Sequence, residues 1–351
     1  MKRWVRDLYK ESGYVYATRA WEIAKGAGCP KIARLASNEN PSPPSPAVVA
    51  AACEAVKGAN RYPPENQWDL LAALKRWHPD EHMVLGAGMD GVIETVIRVL
   101  VGAGDPVGIS TPTFSFYGIA AAAQGARVVL CRREPDFSVN VPAFLQACRG
   151  ARLAFLCTPN NPTGNVTPPE AVSEILEGME GVLFLDNAYV EFSGTDYRPL
   201  LRKYDNLVIG RTLSKIHALA GLRLGYALVP AWMDHYLEKA KTPFAVSVVA
   251  AAAGAAALGE AERAKAYAAH VARWRERYTK EIRWKVHPSG ANFVLVDVAP
   301  LTGTEAMERL AARCVLVRSC ASFPDLADHY LRVSIGEDWE NELLIREINA
   351  L

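Results

Sequence analysis

Three short polar clusters carry residue types suited to imine and phosphate chemistry, and each directly follows an apolar run. Thr158-Pro-Asn-Asn-Pro-Thr-Gly164 follows Arg152–Cys157, and Asp186-Asn-Ala-Tyr189 follows Gly181–Leu185. Arg211-Thr-Leu-Ser-Lys215 follows Leu207–Gly210, with Arg223 further on in Gly221-Leu-Arg-Leu-Gly225. A lysine flanked by hydroxyls and followed by an arginine is suited to forming an imine with an aldehyde cofactor while its neighbours hold a phosphate. An aspartate leaving a buried strand is suited to pairing with a pyridinium nitrogen, and Tyr189 with Asn161 to binding a phenolic oxygen. Taken singly, each feature has a plainer reading. Asn-Pro-Thr-Gly is an ordinary turn sequence, Asp186 can serve as a helix N-cap, and lysines before helices are commonly solvated. Only their ordered company points to a site.

That site needs elements to hold it. The runs Pro106–Ser110, Arg127–Cys131, Arg152–Cys157, Gly181–Leu185, Leu207–Gly210 and Gly225–Val229 are rich in Val, Leu, Ile and Phe. They lack strict in–out alternation, which is how strands buried on both faces read. Most are separated by room for a helix, such as Pro169–Gly178, so the pattern predicts a mostly parallel sheet flanked by helices, an α/β fold. Ligands in such sheets sit at the carboxyl ends of the strands, where all three clusters fall. The texture changes after about residue 235. A helical stretch over Leu258–Glu281 precedes strand-like pieces at Asn292–Val298, Val315–Arg318 and Tyr330–Ile335. The expected organisation is an N-terminal arm over 1–40, a large α/β domain over 41–235, and a linker helix with a small α+β domain over 236–351.

N-P-T-G, D-x-A-Y, T-L-S-K and G-L-R-x-G, in this order, resemble the class I/II aminotransferases of fold type I, which depend on pyridoxal 5'-phosphate (PLP). The resemblance covers most of the chain. Ser37-Asn-Glu-Asn-Pro41, Asn60-Arg-Tyr-Pro63 and the run from Arg211 to Arg223 narrow it to the histidinol-phosphate branch of that family. The resemblance implies that Lys215 is the Schiff-base lysine and shuttles the substrate proton, while Asp186 pairs with the pyridine nitrogen. Tyr189 and Asn161 would contact the ring hydroxyl, and Phe114 would stack on the ring. Thr212, Ser214 and Arg223 would bind the phosphate together with the backbone amides of Gly88, Met89 and Asp90, at a helix N-terminus. Tyr62 would reach the cofactor of a neighbouring subunit, which implies a homodimer. Arg332 would clamp a substrate carboxylate with help from Asn292, and Arg318 and Asn38 would line the substrate side. Arg318 alone reads equally as a surface arginine in an ion pair. The implied reaction is transfer of an amino group from glutamate to imidazole-acetol phosphate. An aromatic amino-acid aminotransferase, a threonine-phosphate decarboxylase and a non-catalytic PLP-binding sensor remain as alternatives. Two departures stand out: Asn187 where the family has glutamate, with no account in the sequence alone, and a loose match over Gly13-Tyr-Val-Tyr16.

Other classes are disfavoured by composition. The chain has 351 residues, 50% hydrophobic and 22% charged, with a formal net charge of +1, so neither nucleic acid nor an anionic membrane is an expected partner. Met1–Ser12 is charged throughout and has no apolar signal region, and Phe244–Leu258 reads as a buried alanine-rich helix too short to span a bilayer. Seven cysteines without a C-x-x-C pair suggest reduced thiols in a cytoplasmic protein, and Cys157 reads as a packed core thiol. His78 and His82 read as surface histidines, with no metal site expected. Gly86-Ala-Gly-Met-Asp-Gly91 matches a dinucleotide fingerprint formally. The strand before it barely spans Met83–Leu85, however, and no acidic residue ends the next one, so a phosphate cradle is the better reading.

Overall fold

The computed structural model describes residues 4–11, 13, 18–64 and 67–351. Residues 14–17, which hold most of the loosely matching arm motif, lie outside that set. In chain order the strands begin with β1 (Ala33–Arg34), β2 (His82–Ala87), β3 (Pro106–Thr111), β4 (Arg127–Arg132), β5 (Leu153–Cys157), β6 (Val182–Asp186), β7 (Leu207–Thr212) and β8 (Leu224–Val229). There follow β9 (Lys285–Val286), β10 (Phe293–Asp297), β11 (Val315–Leu316), β12 (Arg318–Ser319) and β13 (Tyr330–Ser334).

Strands β2 to β8 form one sheet in the order β2-β8-β7-β6-β5-β3-β4. Pairs from β4 to β7 are parallel, whereas β8 runs antiparallel to both β7 and β2. The central strands β5 and β6 are buried at every residue, because helices cover both faces and leave no solvent side for polar alternation. The short apolar runs thus fell where expected, with ends displaced by no more than two residues: β5 and β6 begin one residue later than the runs Arg152–Cys157 and Gly181–Leu185, and several other ends are longer. Strand β2 is longer than Met83–Leu85, since Gly86 and Ala87 continue the ladder opposite Gly225 and Leu224.

A second, four-stranded sheet of order β12-β13-β10-β9 forms the small C-terminal unit. Its helix Gly303–Ala311 starts at a capping box, in which Thr302 and Glu305 each satisfy the other's backbone N–H. The arm joins this unit: β1 pairs with β11 in parallel. Helix Val248–Leu258 packs instead against helices Pro46–Val56 and Trp68–Trp77, beside the large sheet. Its face is alanine and glycine, and a Cβ added at Gly254 would lie 2.4 Å from Leu224 Cδ2, so small residues permit that close approach.

Two expectations are corrected here. Cys29 and Cys314 form a disulfide across 285 residues of sequence, so not all thiols are free. No spacing rule reveals that pairing, because it follows from β1 lying beside β11. His78 is 2% exposed rather than on the surface; its ring nitrogen lies 3.0 Å from the Tyr226 hydroxyl, and burial lowers its pKa to about 3. Its backbone ends helix Trp68–Trp77 and turns the ring inward. His82 is exposed. Among the described residues no helix is long and apolar enough to cross a membrane, and no cluster of His, Cys, Asp or Glu could hold a metal ion.

Candidate active site

The carboxyl ends of β3, β5, β6 and β7 meet at one edge of the large sheet. Because β8 is antiparallel, its beginning lies at that same edge, and Arg223 arrives beside the end of β2. A cavity of about 640 Å³ opens there, between the large sheet and the small unit. Residues of all three polar clusters line it.

Helix Gly88–Leu100 begins at this edge with no side-chain cap on its free N–H groups. Unpaired amides at a helix start attract anions. Gly88 has φ +73°, and a Cβ there would lie 2.6 Å from an Arg223 guanidinium nitrogen. Glycine therefore suits the left-handed backbone, and it lets the guanidinium come close without shifting. Arg223 donates to Asp90 Oδ2 at 2.8 Å, which holds the guanidinium over the helix start. Thr212 Oγ1 accepts from the Ser214 amide at 3.1 Å and lies 3.0 Å from Ser214 Oγ. Two hydroxyls, a cation and a set of free amides thus converge, which is the donor set a phosphate takes.

Lys215 follows within the same loop. Its Nζ lies 5.7 Å from the Tyr189 ring centroid and hydrogen-bonds to no described residue. Burial first, and the positive charge of Arg332 second, lower its pKa to about 8. At pH 7 roughly a tenth of the amine is then unprotonated, far more than for an ordinary lysine, as a nucleophile or proton shuttle needs. Asp186 ends β6 and is almost fully buried. Its Oδ1 accepts from the Ala188 amide at 2.9 Å, and its Oδ2 from the Tyr117 hydroxyl at 2.5 Å. Burial raises the pKa of this carboxyl, while both hydrogen bonds oppose that rise. Tyr189 is buried, which raises its pKa and keeps its hydroxyl protonated; Asn38 Nδ2 donates to it at 3.1 Å. Phe114 lines the cavity edge-on to Tyr117, with ring centroids 5.5 Å apart.

The opposite wall comes from the arm and the small sheet. Arg332 on β13 is buried and donates to Asn161 Oδ1 at 2.7 Å and to the Ala36 carbonyl at 2.5 Å. Its Nε is buried without a partner, an orphaned donor that suits an anionic ligand. Arg318 on the neighbouring strand β12 is in register with Arg332, lines the cavity and donates to Ser322 Oγ at 3.1 Å. Asn38 has φ +53° and is tied by Ser334, whose Oγ accepts from its amide at 2.8 Å. Asn292 does not line the cavity; its Nδ2 donates to the Asn38 carbonyl at 3.1 Å, so it fastens the arm from behind. Tyr62 lies apart on the surface, 80% exposed and stacked on Phe244 at 4.6 Å.

Sequence reasoning passed over Tyr117, although its spacing of three from Phe114 was a usable signal for one face of a turn. It also left Asn187 unexplained. The side chain of Asn187 donates to the Thr158 carbonyl at 2.9 Å, stitching the loops after β5 and β6 together beneath the cavity. Cys157 is buried, its thiol donating to the Pro159 carbonyl at 3.3 Å, and burial raises its pKa, as suits a packed thiol. The uncapped helix start, the two hydroxyls, the lysine of lowered pKa and the oriented carboxylate fit a phosphorylated pyridine aldehyde.

Residues 30–348 match the family model of aminotransferase class I and II. The chain belongs to that family: it is an aminotransferase of fold type I, and pyridoxal phosphate is its cofactor. Within the family it is 58% identical to histidinol-phosphate aminotransferase of Methanoculleus marisnigri, with all of both chains aligned. It is 56% identical to the Methanosphaerula palustris protein of the same name, over 97% of this chain and 96% of the other. Among solved structures, histidinol-phosphate aminotransferase from Sinorhizobium meliloti in complex with pyridoxal-5'-phosphate superposes with a TM-score of 0.88 at 26% identity, covering 99% of this chain and 97% of that one.

Proposed function

We propose that this aminotransferase passes the amino group of glutamate to imidazole-acetol phosphate, yielding histidinol phosphate and 2-oxoglutarate. The observation that carries the choice of substrates is the pair of guanidinium groups, Arg332 and Arg318, in register on adjacent strands of one cavity wall. Glutamate carries two carboxylates, whereas the keto acceptor carries no carboxylate and one phosphate. The two carboxylates of one ligand and the phosphate of the other each present about two negative charges, and two neighbouring arginines serve either arrangement. Whole-length identity of 58% to a protein named for this reaction supports the same reading.

The bound cofactor supplies an aldehyde carbon to carry the amino group and a ring that accepts the electrons of the broken Cα–H bond. Lys215 Nζ takes the proton from the substrate Cα and returns it on the other side of the exchange, a role suited to its pKa of about 8. Asp186 keeps a negative charge beside the ring nitrogen. Tyr189 and Asn161 would hold the ring hydroxyl, and Phe114 would cover the ring face. Thr212, Ser214, Arg223 and the amides of Gly88, Met89 and Asp90 would anchor the phosphate, which would fix the cofactor's place before chemistry begins. Arg332 holds the glutamate α-carboxylate, Arg318 the more distant anion, and Asn38 with Asn292 fixes the arm against both. Tyr62, exposed and already stacked on Phe244, reaches the cofactor phosphate of a second subunit in a homodimer.

The test is absorbance of the purified, cofactor-loaded protein. Histidinol phosphate and glutamate should each bleach the visible band, and 2-oxoglutarate should restore it. A response to phenylalanine alone would replace this reading with an aromatic enzyme, and carbon dioxide from threonine phosphate would replace it with a decarboxylase. Arg332→Ala should cut kcat/KM for both substrates by about 10–100-fold, one charge-assisted hydrogen bond's worth. Arg332→Lys should recover only part, because an ammonium cannot make the bidentate pair.

A further inference from the structure

Asp186 is a buried carboxylate with no ion pair among the described residues. Its negative charge rests on two hydrogen bonds, one per oxygen: the Ala188 amide on Oδ1 and the Tyr117 hydroxyl on Oδ2. The first comes from its own loop. The second comes from a different element, helix Phe116–Gln124, which follows β3. Tyr117 is fully buried, and its ring is clamped by two others. It stacks on Phe155 of β5 at 4.7 Å with planes 6° apart, and meets Phe114 edge-on. The hydroxyl therefore has little freedom to leave the carboxylate.

We propose that Tyr117 is a positioning residue of the cofactor site, holding Asp186 ionised and correctly turned toward the ring nitrogen. The inference deepens the cofactor site described above and rests on that reading. A buried carboxylate that keeps one donor on each oxygen cannot rotate without breaking both bonds, and it presents its remaining lone pairs in fixed directions. Burial favours the neutral acid, and each hydrogen bond to the charged form opposes it. The phenol is well suited to this duty. Burial and the adjacent carboxylate raise its pKa, so it stays a donor across the working range. The same ring also joins Phe114 to the strand beneath, so aromatic packing at the ring face and electrostatics at the ring nitrogen share one side chain.

Tyr117→Phe removes one oxygen and keeps the stacked ring. In the cofactor-free protein, carbon-13 NMR of aspartate carboxyls should show the buried Asp186 titrating about one unit higher than in the parent. Equilibrium binding of pyridoxal phosphate should weaken by about tenfold, with kcat reduced more than KM. The decisive comparison is the same substitution in an Asp186→Asn background. There Tyr117→Phe should cost no further cofactor affinity, because no carboxylate remains to be held. An equal loss in both backgrounds would mean that Tyr117 serves packing alone and would overturn the proposal. So would an unchanged Asp186 titration together with unchanged cofactor affinity. Failure of the parent protein to bind pyridoxal phosphate would instead sink the cofactor reading. The apoprotein titration still decides the Tyr117–Asp186 link in that case.

Discussion

The two walls of the active-site cavity are built in different ways. The wall proposed to hold the cofactor comes from strand ends of one sheet and the loops that follow them, so Asp186, Thr212, Ser214 and Lys215 are placed by short stretches of local chain. The opposite wall, proposed to hold the substrate, has no such local source. Arg332 is held by Asn161 from the large sheet and by the Ala36 carbonyl from the arm, while Asn38 is held by Ser334 and Asn292 from the small sheet. Those contacts join residues up to 296 positions apart. One wall is fixed by its sheet, and the other exists only after three regions have docked. Cofactor chemistry can therefore stay constant while the substrate side is altered by changes far away in sequence.

That contrast can be broken most sharply at Lys215. Lys215→Ala should lower turnover by at least about 10³-fold while the phosphate cradle still retains the cofactor, because a positioned acid–base group alone is worth that much. Residual turnover near the parent level, measured with saturating glutamate, would show that the local motif does not carry the chemistry. A smaller effect separates the walls directly. The Cys29–Cys314 disulfide sits where β1 meets β11, and both strands run on into the cavity, toward Ala36 and toward Arg318. Cys29→Ser should cost roughly 2–4 kcal/mol in denaturant unfolding and raise the substrate KM, with cofactor affinity unchanged. An equal loss of cofactor affinity would show that the walls are not independent.

The gentlest probe is pH. Lys215 has its folded pKa lowered from 10.5 to about 8, so the amine is mostly protonated below that value. Capture of pyridoxal phosphate by the cofactor-free protein, followed by stopped-flow absorbance, should accelerate by about tenfold per pH unit up to about 8 and level off above it. By the same linkage, this lysine makes stability rise with pH between about 8 and 10.5, where the unfolded chain binds the extra proton. A capture rate that keeps climbing to pH 10 would place the amine in ordinary solvent.

The gathering of the three polar clusters at one sheet edge was legible beforehand. Continuous apolar runs announce doubly covered strands, and polar residues that interrupt them must lie at strand ends, so sequence order alone put the N-P-T-G, D-N-A-Y and T-L-S-K clusters at one edge. The local chain also determined glycine at position 88, where φ +73° excludes most side chains at low cost. Tertiary structure decided the rest. The antiparallel sense of β8 brings Arg223 back to the phosphate edge, and no periodicity encodes strand direction. Tyr117 became the partner of Asp186 only through packing on Phe155, and His78 turned inward to Tyr226. Cys29 met Cys314 through the pairing of β1 with β11, a contact between chain ends whose closure no local signal records. Sequence fixes which groups follow which strand, because side-chain period and chain order are local properties. Which strands and loops come to face one another is set by burial of the whole apolar surface at once, and that is decided only in three dimensions.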